Sequence, residues 1–224
     1  MRVMKLESTR TLDSPSPQAV GFRAFVLALC AMLALNALAF NSSLQPEEVQ
    51  DAYSLGQTAN HEELANFLKQ YEHTFAYPPN KPVAYVQSVE FQTPYEQIVL
   101  RAQRTIGYSK FKAQEDYQAN SGLVIVRVVI SLKINYAGPV PPEDSFKVLV
   151  SQAKPIEPKK ITNAVTCDPY YSTNYAVNTD CRTYTREILL RFDAEEFAPG
   201  RATIKVMLPY GQSLETKYNL DKLK

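Results

Sequence analysis

Only two histidines occur in this 224-residue chain, His61 and His73, twelve positions apart. His61-Glu62-Glu63-Leu64 lacks the second histidine that an H-E-x-x-H zinc site requires. No histidine follows position 73, so a Ser-His-Asp or Cys-His nucleophile is excluded from the rest of the chain. Ser109-Lys110 lacks the x-x spacing of the Ser-Lys motif. Carboxylates pair in sequence at Glu62-Glu63, Glu115-Asp116, Glu143-Asp144 and Glu195-Glu196. Adjacent residues point to different sides of a helix or strand, whereas a glycosidase holds two carboxylates about 5–9 Å apart across a cleft. These pairs read as solvated charge. The absence of Trp also weakens a sugar-stacking reading. Asp168, Asp180 and Asp193 could converge on calcium, but no D-x-[DN]-x-[DN]-G string accompanies them. The expectation is therefore no catalytic residue, no metal and no cofactor.

Binding chemistry is better represented. Between Thr166 and Tyr184 stand Tyr170, Tyr171, Tyr175 and Tyr184, with Ser172, Thr173, Asn174 and Asn178 among them. The segment has neither Gly nor Lys. Tyrosine offers large contact area at low entropic cost, and Ser and Asn supply adaptable hydrogen bonds. Cys167 and Cys181 lie within this stretch and enclose all of these residues but Tyr184. In an oxidising compartment they are expected to bridge, stabilising the fold by roughly 3 kcal/mol in the chain-entropy model. A bridge there would also pre-organise the loop for binding. Tyr170, Tyr171, Asn174, Tyr175 and Tyr184 are the candidate contacts. The alternative is a hairpin whose tyrosines pack onto a sheet.

The N-terminus supplies the compartment. Residues 1–23 carry Arg2, Lys5, Arg10 and Arg23 against Glu7 and Asp13. A run of 12 apolar residues follows from Ala24 to Leu35, short of the roughly 20 needed to span a bilayer. Ala37 and Ala39 then form an A-x-A pattern, which predicts a signal peptide over 1–39 and a mature chain from Phe40. An uncleaved signal anchor over 24–40 is the rival. Cys30 follows Leu29 rather than a small residue, so it does not read as a lipoprotein cysteine. Export predicts a periplasmic or extracellular location and leaves Cys167 and Cys181 as an even pair.

Composition narrows the classes further. Lys+Arg number 24 and Asp+Glu 23. Losing the leader removes four basic and two acidic residues, leaving 20 against 21, a net charge of −1. Such balance disfavours a nucleic-acid partner. Seven glycines in the whole chain disfavour glycine-rich phosphate loops.

The elements that must position the loop follow from periodicity. Pro46, Glu47 and Glu48 suit a first helical turn, and Gly56 suits its end. Asn60 can cap a second helix bearing Leu64, Phe67, Leu68 and Tyr71. Tyr77-Pro78-Pro79-Asn80-Lys81-Pro82 breaks the helical pattern, giving a helical pair and proline-rich linker over 40–82. Val83, Tyr85, Val89 and Phe91 then share one strand face, with Gln87 out of phase. Residues 95–104 remain ambiguous, and Ser109 can cap a helix through Tyr117. Val124, Val126, Val128, Ile130, Leu132 and Ile134 alternate with polar residues, the clearest one-sided strand. Alternation returns at Phe146–Val150, Ile188–Phe192, Ala202–Leu208 and Leu214–Leu220. Lys154-Pro155-Ile156-Glu157-Pro158-Lys159-Lys160 reads as an extended, solubilising connection.

One-sided strands at this density need a second layer. The expected fold is mainly β with a small helical N-terminal region: an antiparallel immunoglobulin-like β-sandwich over 83–224, preceded by two short α-helices. The last 40 or so residues run strand, helical crossover, strand, turn, strand. That order resembles exported bacterial immunoglobulin-like modules and implies fold alone. The functional expectation is a non-enzymatic module that binds a protein or cell-envelope component. It would touch the membrane only through an uncleaved signal segment. A hydrolase with a carboxylate or Ser-Lys site, and a purely structural envelope module, are the alternatives.

Overall fold

A computed structural model of the chain describes residues 40, 43–79, 83–133, 141–169 and 181–224. Residues 38–224 make one compact unit. Its described residues are mostly β, with two antiparallel sheets and four α-helices.

Helix α1 spans Pro46–Gly56 and α2 spans His61–Leu68. Pro46 begins α1, and the Glu48 carboxylate accepts a 2.8 Å hydrogen bond from the Gln45 amide. The Asn60 side chain accepts from the Glu63 amide and caps α2. Strand β1, Glu72–Thr74, pairs with the far longer β2, Ala84–Gln92. Two more helices lie between β2 and β3: α3, Pro94–Arg104, and α4, Lys110–Asn120. Thr93 caps α3 and resolves the ambiguous run 95–104 as helix, and Ser109 caps α4. Strand β3 covers Leu123–Lys133.

The remaining strands are β4, Lys147–Ser151; β5, Pro155–Ile156; β6, Lys160–Pro169; β7, Cys181–Asp193; β8, Arg201–Met207; and β9, Ser213–Asn219. One sheet has the order β1-β2-β3-β7-β6 and the other β5-β4-β8-β9. The stretch 154–160, expected as a plain connection, thus contains β5 and opens β6.

Residues of both sheets share one buried apolar cluster. It takes Val124, Val126, Val128, Ile130 and Leu132 from β3, and Ile188, Leu190 and Phe192 from β7. Ala202, Ile204 and Val206 of β8 and Tyr218 of β9 meet them. Tyr218 donates a 2.5 Å hydrogen bond to the Val89 carbonyl, tying β9 to β2.

The phase of β2 differs from the expected one before Gln87. A register shift lies between Val86 and Ser88, so Ala84 and Val86 join Val89 and Phe91 in the cluster. Val83 is exposed, and Tyr85 stacks edge-on against Tyr77 instead. An extra residue at a bulge reverses the alternation on one side of it. Gln87 out of phase is the trace of that bulge in the sequence.

The helices form a second cluster from Leu44, Val49, Ala52, Leu64, Ile98, Val99 and Ala102, among others. Gly56 sits hard against α3. A Cβ there would meet the Ala102 Cβ at 2.7 Å and the Val99 carbonyl oxygen closer still.

Candidate functional site

The hairpin of β6 and β7 carries one strand, β6, that is exposed along nearly all of its described length. Its ladder runs from Lys160 opposite Arg191 to Pro169 opposite Cys181, with a register shift at Asp168 and Pro169. Strand β6 lies at the edge of its sheet. From Lys160 to Cys167 every residue is exposed except Asn163, which is half-buried.

Ile161 and Val165 stand opposite Leu190 and Arg186, on the face of β7 that enters the shared core. On β6 that face is uncovered, leaving Ile161 55% and Val165 43% exposed. Between Ile161 and Cys167 there is no charge, Pro or Gly to guard the edge.

Of the expected contact residues, Tyr184 lies on β7 opposite Cys167 and packs half-buried against the shared cluster. Tyr170, Tyr171, Asn174 and Tyr175 lie outside the described residues. Cys167 is exposed near the end of β6, and Cys181 opens β7. His61 begins α2, and the His73 ring meets Tyr218 edge-on at 4.7 Å. The carboxylate pairs stay apart. Glu62-Glu63 lies on α2, Glu115-Asp116 on α4, and the other two pairs lie in separate 3-10 turns. Among the described residues no group of three His, Cys, Asp or Glu could hold a metal ion.

The structure also brings together two carboxylates from different elements. Glu90 of β2 and Glu96 of α3 are both buried. Glu90 accepts a 2.6 Å hydrogen bond from the Gln92 amide and lies 3.5 Å from Arg127. Arg127 in turn pairs with Glu187 of β7. Glu96 is fully buried, and neither of its oxygens has a hydrogen-bond partner among the described residues. Burial first, and then the nearby Glu90 charge, push its carboxyl well above the usual carboxylate range.

Sequence reasoning missed this pair because it sought carboxylates adjacent in the chain. A signal was present but pointed elsewhere. Thr93-Pro-Tyr-Glu96 has capping-box spacing, which predicts a surface Glu reaching back to the cap. Thr93 does accept from the Glu96 amide at 3.3 Å. The Glu96 carboxyl does not reciprocate.

A cleft of about 280 Å³ lies nearby, bounded by Gln92, Gln97, Leu100, Arg101, Arg104 and Thr105. Gln97 is committed to the carbonyls of Gln92 and Leu123. Glu96 does not line this cleft. Among the described residues no carboxylate lines this cleft. No family model matches the sequence, and no curated protein matches it.

Proposed function

We propose that the chain is an exported, non-enzymatic β-sandwich module that binds a protein or cell-envelope component through the end of the β6–β7 hairpin. The observation that carries this reading is the long, exposed edge strand β6, uncharged from Ile161 to Cys167, which leads directly into the tyrosine-rich segment. An open edge can accept a partner strand through its main chain, while neighbouring side chains supply selectivity. Ile161 and Val165 offer apolar contact beside that edge.

Within this reading Cys167 and Cys181 close the loop. Cys167 and Cys181 sit on neighbouring strands, with Cys181 opposite Pro169, two positions along β6 from Cys167. A bridge there reduces the ordering cost of the tyrosines. Export rests on the basic leader, the 12-residue apolar run and the A-x-A pattern. No helix among the described residues is long and apolar enough to cross a membrane. The immunoglobulin-like assignment rests on two antiparallel sheets around one core, with α3 and α4 as an insertion between β2 and β3.

The test pairs binding with stability. The full chain and its Tyr170→Ala/Tyr171→Ala form are used as bait in envelope extract. The expected result is a partner captured by the parent alone, with Tm unchanged. A fall of several degrees in Tm would place those rings in the core and contradict a binding role for them.

A further inference from the structure

The α3–α4 turn is an exposed apolar apex in a basic surround. Ile106 is 102% exposed and Phe111 74% exposed, the two most exposed large apolar side chains among the described residues. From Arg101 to Lys112 the chain has four basic residues and no acidic one. Lys110 and Lys112 occupy the first turn of α4, where the helix dipole disfavours positive charge and no acidic residue offsets it. The apex is firmly held. Tyr108 is buried beneath it and donates to Asp116 at 3.1 Å. Asp116 also receives Arg101 at 2.9 Å and Lys112 at 3.1 Å. Burial alone would raise the Asp116 carboxyl, but those three hydrogen bonds outweigh it and hold it below its ordinary value. Asp116 is therefore spent internally, and the exposed Glu115 is paired with Lys112 at 3.3 Å. Arg104 and Lys110 stay exposed beside Ile106 and Phe111.

The geometry points to an anionic lipid bilayer as the occupant of this apex: Ile106 and Phe111 insert at the headgroup boundary while Arg104 and Lys110 meet lipid phosphates. Exposed bulky apolar residues flanked by Lys and Arg are the pattern of interfacial membrane contacts. Two side chains fall far short of the roughly 800 Å² per partner of a standard protein interface. This contact is independent of the β6–β7 hairpin and of the leader segment.

The chain contains no Trp, so Phe111→Trp gives a single local reporter in the full-length protein. Leu149→Trp, at another exposed site, is its control. Each variant is first checked for an unchanged Tm. It is then reconstituted with vesicles of phosphatidylglycerol or of phosphatidylcholine, each with brominated chains. The expected result is a blue shift and bromine quenching at position 111 in the anionic vesicles only. Position 149 should show neither. Arg104→Glu/Lys110→Glu should weaken the response by about tenfold or more, since each basic residue near an anionic surface contributes on the order of a severalfold gain. Unshifted, unquenched emission at position 111 in anionic vesicles that carry the protein would overturn the proposal. So would equal quenching in both lipids. A blue shift that grows with protein concentration in lipid-free detergent would assign the apex to a protein contact instead.

Discussion

The two faces of the five-stranded sheet are built on different principles. On the inner face Phe91, Val126 and Leu190 meet the second sheet in an apolar cluster, with Arg186 the buried charge on that face, stacked over the Phe146 ring. Phe91 packs edge-on against Phe197 and lies 5.6 Å from the Tyr218 ring. On the reverse face Glu90, Arg127 and Glu187 form a row of charges across three strands. Burial on the inner face stabilises through area removed from water. On the reverse face each buried charge depends on its neighbour, and the row is costly to break from one side only. The sheet therefore has one face that tolerates volume-conserving change and one that tolerates only paired change.

The largest expected effect is on the inner face. Phe91→Ala should cost about 4 kcal/mol, because the cavity is bounded by both sheets and cannot collapse. Thermal melting should show a fall of roughly 10 °C. Arg127→Ala comes next, at about 3 kcal/mol, since it leaves the buried Glu90 carboxylate without its cation. The paired change Glu90→Leu/Arg127→Met should recover most of that loss in denaturant titration. If the pair loses as much as the single change, the reverse face is held by packing and the contrast fails.

Gly56→Ala should cost about 2 kcal/mol, as the new methyl overlaps Val99 and Ala102 of α3. It tests whether the helical cluster is packed as tightly as the sheet core.

The smallest effect is the most specific. In the folded chain Glu96 keeps its proton above the pH at which an unfolded glutamate loses it. The folded state then binds more protons than the unfolded one, so stability falls as pH rises above the ordinary carboxylate value of 4.5. Glu96→Gln should remove that part of the slope and raise stability at pH 7. Melts from pH 4 to pH 8 check this. A variant whose profile parallels the parent's would show that Glu96 ionises freely.

Parts of this arrangement were legible in the sequence for a physical reason. Strand β3 faces the second sheet with every even residue, so period two is nearly perfect from Val124 to Leu132. Strand β2 was readable only in part, because its bulge reverses phase and because Ser88, Glu90 and Gln92 are buried too. A strand buried on both faces does not alternate. Strand β6 was hidden for the opposite reason. Its only large apolar residues, Ile161 and Val165, are four apart and flank Asn163, so the run 160–167 carries no clear strand signal. Edge strands give up the alternation that core strands must keep. The Glu90–Glu96 pair was invisible because it forms only when the β2–α3 connection brings a strand residue and a helix residue together.

The central claim is that the β6–β7 hairpin is the contact surface, and photo-crosslinking in cells tests it most directly. A photoreactive amino acid replaces Val165, Tyr171 or, as a control on β9, Lys217 in the full-length chain. The account predicts adducts of one common mass at positions 165 and 171 and none at 217. Adducts at 217 with none on the hairpin would contradict it.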